Sequence, residues 1–167
     1  MGRHGQIGSL VLLLVAALLI LRPWEGGEDE GPASVEALVV RVVDGDTIEA
    51  RVDGELEDVR YIGLDTPETV KPGAPVECFG PQASSFNHRL VEGRRLRLVF
   101  GVERRDVYGR LLAYAYLGRR FVNAILVRRG LARTLTIPPN DRFAPLLREL
   151  ELGAARAGRG LWSACSP

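Results

Sequence analysis

The sequence is poor in lysine, histidine and cysteine. Of its 22 basic side chains only Lys71 is a lysine, and the 167 residues include two histidines and two cysteines. Two cysteines are too few, and too far apart, to form a zinc site of their own. The formal net charge is only +1, so the chain is neither a polyanion nor a polycation. No internal repeat and no low-complexity tract is present. The longest apolar run, residues 7–21, has 15 residues, short of the roughly 20 that a spanning helix needs. With 46% apolar and 26% charged residues, neither a disordered chain nor a polytopic membrane protein fits. The length favours one domain, and 10 prolines with 19 glycines suit a turn-rich one.

What charge there is lies unevenly. From Ser34 onward there are 20 basic and 17 acidic residues, a net of +3. That excess permits an anionic partner without demanding one. Arginine favours bidentate contacts to phosphate or carboxylate, although a genome-wide base composition gives the same bias and is the plainer cause. Residues 1–24 read as a signal peptide or an N-terminal membrane anchor, with Arg3 before the apolar run and Trp24 placed for a membrane interface. Residues 25–35, acidic and rich in Gly and Pro, read as a flexible linker, and residues 36–167 as the folded domain. Either form of leader exports that domain. In an oxidising compartment a single Cys78–Cys165 bridge is the simple reading of the two cysteines; two unpaired buried thiols are the alternative.

Within the domain, residues 39–43 form an apolar stretch ended by the turn pair Asp44-Gly45. Residues 47–52 alternate, Asp53-Gly54 signals a hairpin, and residues 56–64 read as a third strand in which Leu56, Arg60, Ile62 and Leu64 share one face. Strands are also expected over 94–100 and 110–117. Helices are expected over 81–91, opened by Pro81, over 121–129, closed by Gly130, and over 143–157. Five short strands and three helices indicate an α+β domain built on a small barrel.

Polar residues gather at the strand ends. Asp46 shares the parity of Ile48, Ala50 and Val52, the expected barrel interior, where a carboxylate needs a compensating partner. Arg60 points toward the core face and needs one too. Asp65 and Glu68 flank Pro67 directly after the third strand. Asp46 and Asp65, with a backbone carbonyl and waters, suit a hard cation such as calcium, and a carboxylate nearby can take a proton from water. Gly109 allows a bend that aims Arg110 at the same mouth. Each feature also has a plainer reading: a turn aspartate, a structural ion pair, a helix cap, a solvated arginine. Together, two arginines and three acids at strand ends suit phosphodiester hydrolysis.

The order of motifs resembles the staphylococcal nuclease (thermonuclease) family. Val43-Asp44-Gly45-Asp46-Thr47, Arg60 five residues before Asp65-Thr66-Pro67-Glu68, Phe79-Gly80-Pro81-Gln82-Ala83, Tyr108-Gly109-Arg110, Val122-Asn123-Ala124, Arg129-Gly130-Leu131-Ala132 and Gly160-Leu161-Trp162-Ser163 carry the likeness, over about residues 36 to 163. The resemblance implies an OB-fold five-stranded β-barrel with three α-helices. It implies Ca2+ held by Asp46, Asp65 and the carbonyl of Thr66, Glu68 as general base, Arg60 and Arg110 on the scissile phosphate, and Tyr108 on a substrate phosphate. The expected activity is that of a nuclease, acting as a monomer on DNA and RNA, preferably single-stranded or unpaired, and leaving 3′-phosphate ends. It is expected outside the cytoplasm, secreted or held at a membrane through an uncleaved leader. Three departures bear on affinity. Only Lys71 stands in the loop after Glu68, the segment Arg133-Thr134-Leu135-Thr136-Ile137 lacks base-stacking tyrosines, and Val107 replaces a lysine. The alternatives are a non-catalytic module of the same family that binds nucleic acid or protein, and a membrane-tethered interaction domain.

Overall fold

The computed structural model describes residues 33–70, 73 and 75–165. The expected leader, most of the expected linker and Lys71 fall outside them. Among the described residues no helix is long and apolar enough to cross a membrane.

Strands β1 (Ser34–Asp44), β2 (Thr47–Val52) and β3 (Glu55–Tyr61) form an antiparallel meander. The β2–β3 turn is Asp53-Gly54, with φ of 50° and 92°, the left-handed pair that matches the twist of a tight hairpin. After β4 (Gly63–Asp65) and helix α1 (Gly80–Val91), strand β5 (Arg95–Arg105) runs antiparallel to β1, and β6 (Leu111–Leu117) runs antiparallel to β5. The last pairing is parallel: Val59 of β3 lies opposite Leu111 of β6, and Tyr61 opposite Ala113. It closes the five strands into the expected OB-type barrel. Strand β1 starts earlier than expected, because Ser34 already pairs with Val99, so the end of the expected linker belongs to the sheet.

Outside the barrel, β7 (Arg120–Phe121) folds back antiparallel on the end of β6, and β8 (Arg133–Leu135) pairs antiparallel with β4. Helices α2 (Val122–Arg128) and α3 (Ala144–Arg156) fall within a residue of their expected bounds, and α4 (Leu161–Ala164) is a four-residue addition. Ile48, Leu96 and Leu98 fill the barrel, and Leu126, Val127 and Leu147 cover it from the helical side; all six are buried in one cluster.

The face of β3 differs from expectation. Val59 and Tyr61 point into the core, whereas Leu56 is 51% exposed and Arg60 lies on the opposite face from Tyr61. The chain then turns at Ile62-Gly63, where Gly63 has φ 84°. This break resets the alternation, so Leu64 returns to the main core while Ile62 packs in a small second cluster with Val99 and Tyr114. A strict two-residue period does not survive a left-handed residue.

Asn123 of α2 fixes this break. Fully buried, it accepts the Ala115 N–H at 2.9 Å and donates to the Ile62 carbonyl at 2.8 Å. Asn123→Ala would strand both backbone groups, and the expected loss is about 2–4 kcal/mol of unfolding free energy, read from urea denaturation.

Candidate active site

Asp46 sits in the turn between β1 and β2 and is only 2% exposed. Its burial is compensated from every side. The Thr47 hydroxyl donates to Oδ1 at 3.0 Å, and the Thr66 N–H and hydroxyl donate to Oδ2 at 2.7 and 2.9 Å. The Arg60 guanidinium makes an ion pair with Oδ1. Gly45 makes the approach of Thr66 possible: a Cβ there would lie 2.7 Å from Thr66 Oγ1. The Tyr61 N–H donates to the Asp46 carbonyl at 2.9 Å and seals the end of β3 against the turn.

Arg60 joins two acids. Besides Asp46 it donates to Asp65 Oδ1 at 2.6 Å and to the Leu64 carbonyl at 3.3 Å. Burial pulls its pKa down and the Asp65 carboxylate opposes that pull, while the charge of Arg110 adds a smaller downward push. Arg60 and Arg110 therefore feel one another. Both line a cavity of about 300 Å³, together with Tyr108, Val107, Leu135 and Ile137. Arg110 is aimed by the turn before it: its Nε donates to Asp106 Oδ2 at 2.7 Å, while Asp106 Oδ1 accepts the N–H groups of Tyr108 and Arg110 at 2.9 and 3.0 Å. Tyr108 is largely exposed, and its ring lies 5.5 Å from the Arg110 guanidinium carbon.

Glu68 lies two residues beyond Thr66. Its Oε1 accepts the N–H groups of Thr69 and Val70 at 2.9 and 2.8 Å. Its carboxyl also meets that of Asp44, which is buried and bonded to the Gly45 N–H at 2.8 Å and the Thr69 hydroxyl at 2.6 Å. Burial raises the pKa of Asp44, the Thr69 and Gly45 bonds lower it, and the Glu68 carboxyl raises it again.

The structure thus draws Asp46, Arg60, Asp65 and Thr66 into one bonded cluster. Arg110 and Tyr108 share a cavity with Arg60, and Glu68 stands on the adjoining turn. Cys78 and Cys165 form a disulfide, with Cα atoms 5.8 Å apart. Sequence reasoning gave Asp106 no role of its own and treated Asp44 only as a turn signal. The one available hint was that each precedes a glycine turn beside a candidate residue. Among the described residues no three acidic, histidine or cysteine side chains are gathered for a metal. The set expected from the resemblance is two carboxylates, those of Asp46 and Asp65, and the peptide oxygen of Thr66. All are hard oxygen donors, and the two acids already share one cation, the Arg60 guanidinium. That chemistry fits calcium.

Residues 58–164 match the family model described as "Staphylococcal nuclease homologue". The chain is 39% identical over 160 residues to the thermonuclease of Staphylococcus intermedius, covering 93% of this chain and 95% of that one. It is 35% identical over 161 residues to the thermonuclease of Staphylococcus hyicus, covering 91% and 95%. It is 40% identical over 131 residues to endonuclease YncB of Bacillus subtilis (strain 168), covering 77% and 62%. With such extensive matches around a barrel that carries the acid–arginine cluster at its mouth, this chain belongs to the staphylococcal nuclease family.

Proposed function

We propose that this nuclease hydrolyses phosphodiester bonds of DNA and RNA in a calcium-dependent reaction and leaves 3′-phosphate ends. The observation that carries the proposal is Arg60. One guanidinium contacts Asp46 and Asp65 and also lines the cavity that holds Arg110 and Tyr108. Acids, arginines and space for a substrate therefore meet at one residue.

Asp46, Asp65 and the Thr66 carbonyl would hold calcium, which when bound stabilises charge on a phosphoryl oxygen as a Lewis acid. Glu68 acts as general base and removes a proton from the attacking water. The new P–O bond forms as the bond to the 5′-oxygen breaks. Arg60 and Arg110 donate to the phosphoryl oxygens, where charge builds up in the transition state. Guanidinium groups keep their protons at neutral pH, so the leaving 5′-oxygen takes its proton from water. Tyr108 contacts a neighbouring phosphate. Leu135 and Ile137 offer aliphatic surface in place of aromatic stacking, so affinity for single strands rests on phosphate contacts and is salt-sensitive. The Cys78–Cys165 bond suits an oxidising compartment, in keeping with export as a secreted or membrane-anchored monomer.

Arg60→Ala, Glu68→Ala and Arg110→Ala are each expected to lower kcat/KM on a single-stranded oligonucleotide by about 10²-fold or more. Circular dichroism is expected to show an undisturbed fold in Glu68→Ala and Arg110→Ala, and a lowered thermal midpoint in Arg60→Ala, which strips the buried Asp46 of its counter-charge. Cleavage is expected to stop in a calcium chelator and return on adding calcium, and end-group analysis of the products is expected to give 3′-phosphates. Asp106→Ala, which releases the Arg110 fork, is expected to lower kcat roughly tenfold to hundredfold, measured on the same substrate.

A further inference from the structure

Glu68 belongs to no strand or helix, so other contacts must hold its backbone. Glu77 does so in both directions. The Glu77 N–H donates to the Glu68 carbonyl at 2.9 Å, and the Glu68 N–H donates to the Glu77 carboxylate at 3.1 Å. The chain from Glu77 to Gly80 lies against the same stretch. A Cβ on Gly80 would come within 2.9 Å of the Pro67 carbonyl and 3.1 Å of the Glu68 carbonyl.

Glu77 itself is exposed, but the residue after it is Cys78, bonded to Cys165. The far end of that bond is anchored in the core. Cys165 caps α4, donating its N–H to the Leu161 carbonyl at 3.1 Å, and Leu161 is buried. The Leu161 N–H donates in turn to the Gly130 carbonyl at 2.8 Å. Gly130 and Gly160 press so closely there that a Cβ on Gly130 would lie 2.1 Å from the Arg159 carbonyl. A continuous chain of fixed contacts thus runs from the helical core through the disulfide and Glu77 to Glu68.

We propose that Glu77 and the Cys78–Cys165 bond are positioning elements for Glu68. The disulfide serves turnover as well as stability, and its reduction loosens the base without touching the phosphate-binding arginines. This rests on the assignment of Glu68 as general base.

The test uses the full chain in calcium, on a single-stranded oligonucleotide, at a temperature where circular dichroism shows every form folded. The forms compared are the oxidised protein, the dithiothreitol-reduced protein, C78S/C165S, Glu77→Ala and Glu77→Gln. In the reduced protein, C78S/C165S and Glu77→Ala, kcat is expected to fall about tenfold while KM stays within about twofold. Glu77→Gln keeps an acceptor for the Glu68 N–H and is expected to retain kcat. In a Glu68→Ala background C78S/C165S is expected to cause no further fall, because the group it positions is gone. An unchanged kcat in the folded, reduced protein overturns the proposal. So does an equal further loss in the Glu68→Ala background, which would mark a purely structural role. Should C78S/C165S not fold, the Glu77→Ala and Glu77→Gln pair decides alone. Failure of the underlying assignment looks different: Glu68→Ala would then cleave as fast as the wild type, and the proposal would fall with it.

Discussion

A carboxylate buried at the turn of a β-hairpin is the constraint around which this end of the molecule is organised. Asp46 has almost no contact with water. A charge in that position is tolerated only when hydrogen bonds and an opposite charge replace its hydration. The replacements come from three parts of the chain: Thr47 beside it, Arg60 at the end of β3, and Thr66 beyond β4. Satisfying one acid thus fixes three segments relative to each other. Arg60, recruited as the counter-charge, then reaches the exposed Asp65.

The barrel supplies the second half of the arrangement. Its parallel pairing, β3 with β6, sets Arg60 opposite Leu112. Arg110 lies just before β6, so the same closure delivers it to the side of Arg60. Asp106 settles its direction by taking both the backbone and the side chain of Arg110. Glu68 is held differently, through a loop contact with Glu77 and a covalent link to the C-terminal helix. The arginines are therefore placed by the sheet, and the proposed base by the loop.

Much of this was legible in the string. The Asp53-Gly54 hairpin, the three longer helices and the five strands of the barrel follow from turn chemistry and periodicity, whereas the short β4, β7 and β8 do not. The burial of Asp46 agrees with the expectation from parity, but its cause is different. Asp46 lies in the turn before β2, where residues 44–48 are all buried, and it is enclosed by Thr47, Arg60 and Thr66. The reading of β3 failed at Leu56 because the alternation was carried through Gly63, whose left-handed backbone resets it. Asp44 was read only as a turn residue before Gly45, and Asp106 was given no role because an aspartate opening a turn is ordinary. Nothing local reveals that one meets Glu68 and the other clamps Arg110. The role of Glu77 was equally invisible, since it depends on a pairing across a loop.

The groups expected at the barrel mouth were named through the resemblance of their motifs to the family; the sequence by itself determined the element types and the turn positions. These are set by short-range physics, namely side-chain period, turn geometry and capping. The tertiary structure alone decided that Arg60 bridges two acids, that Arg110 stands beside it, and that the disulfide lies next to the segment holding Glu68. Those outcomes depend on the parallel closure of the barrel and on the search of a buried charge for partners. Both are contacts between residues far apart in the chain, which no local pattern encodes.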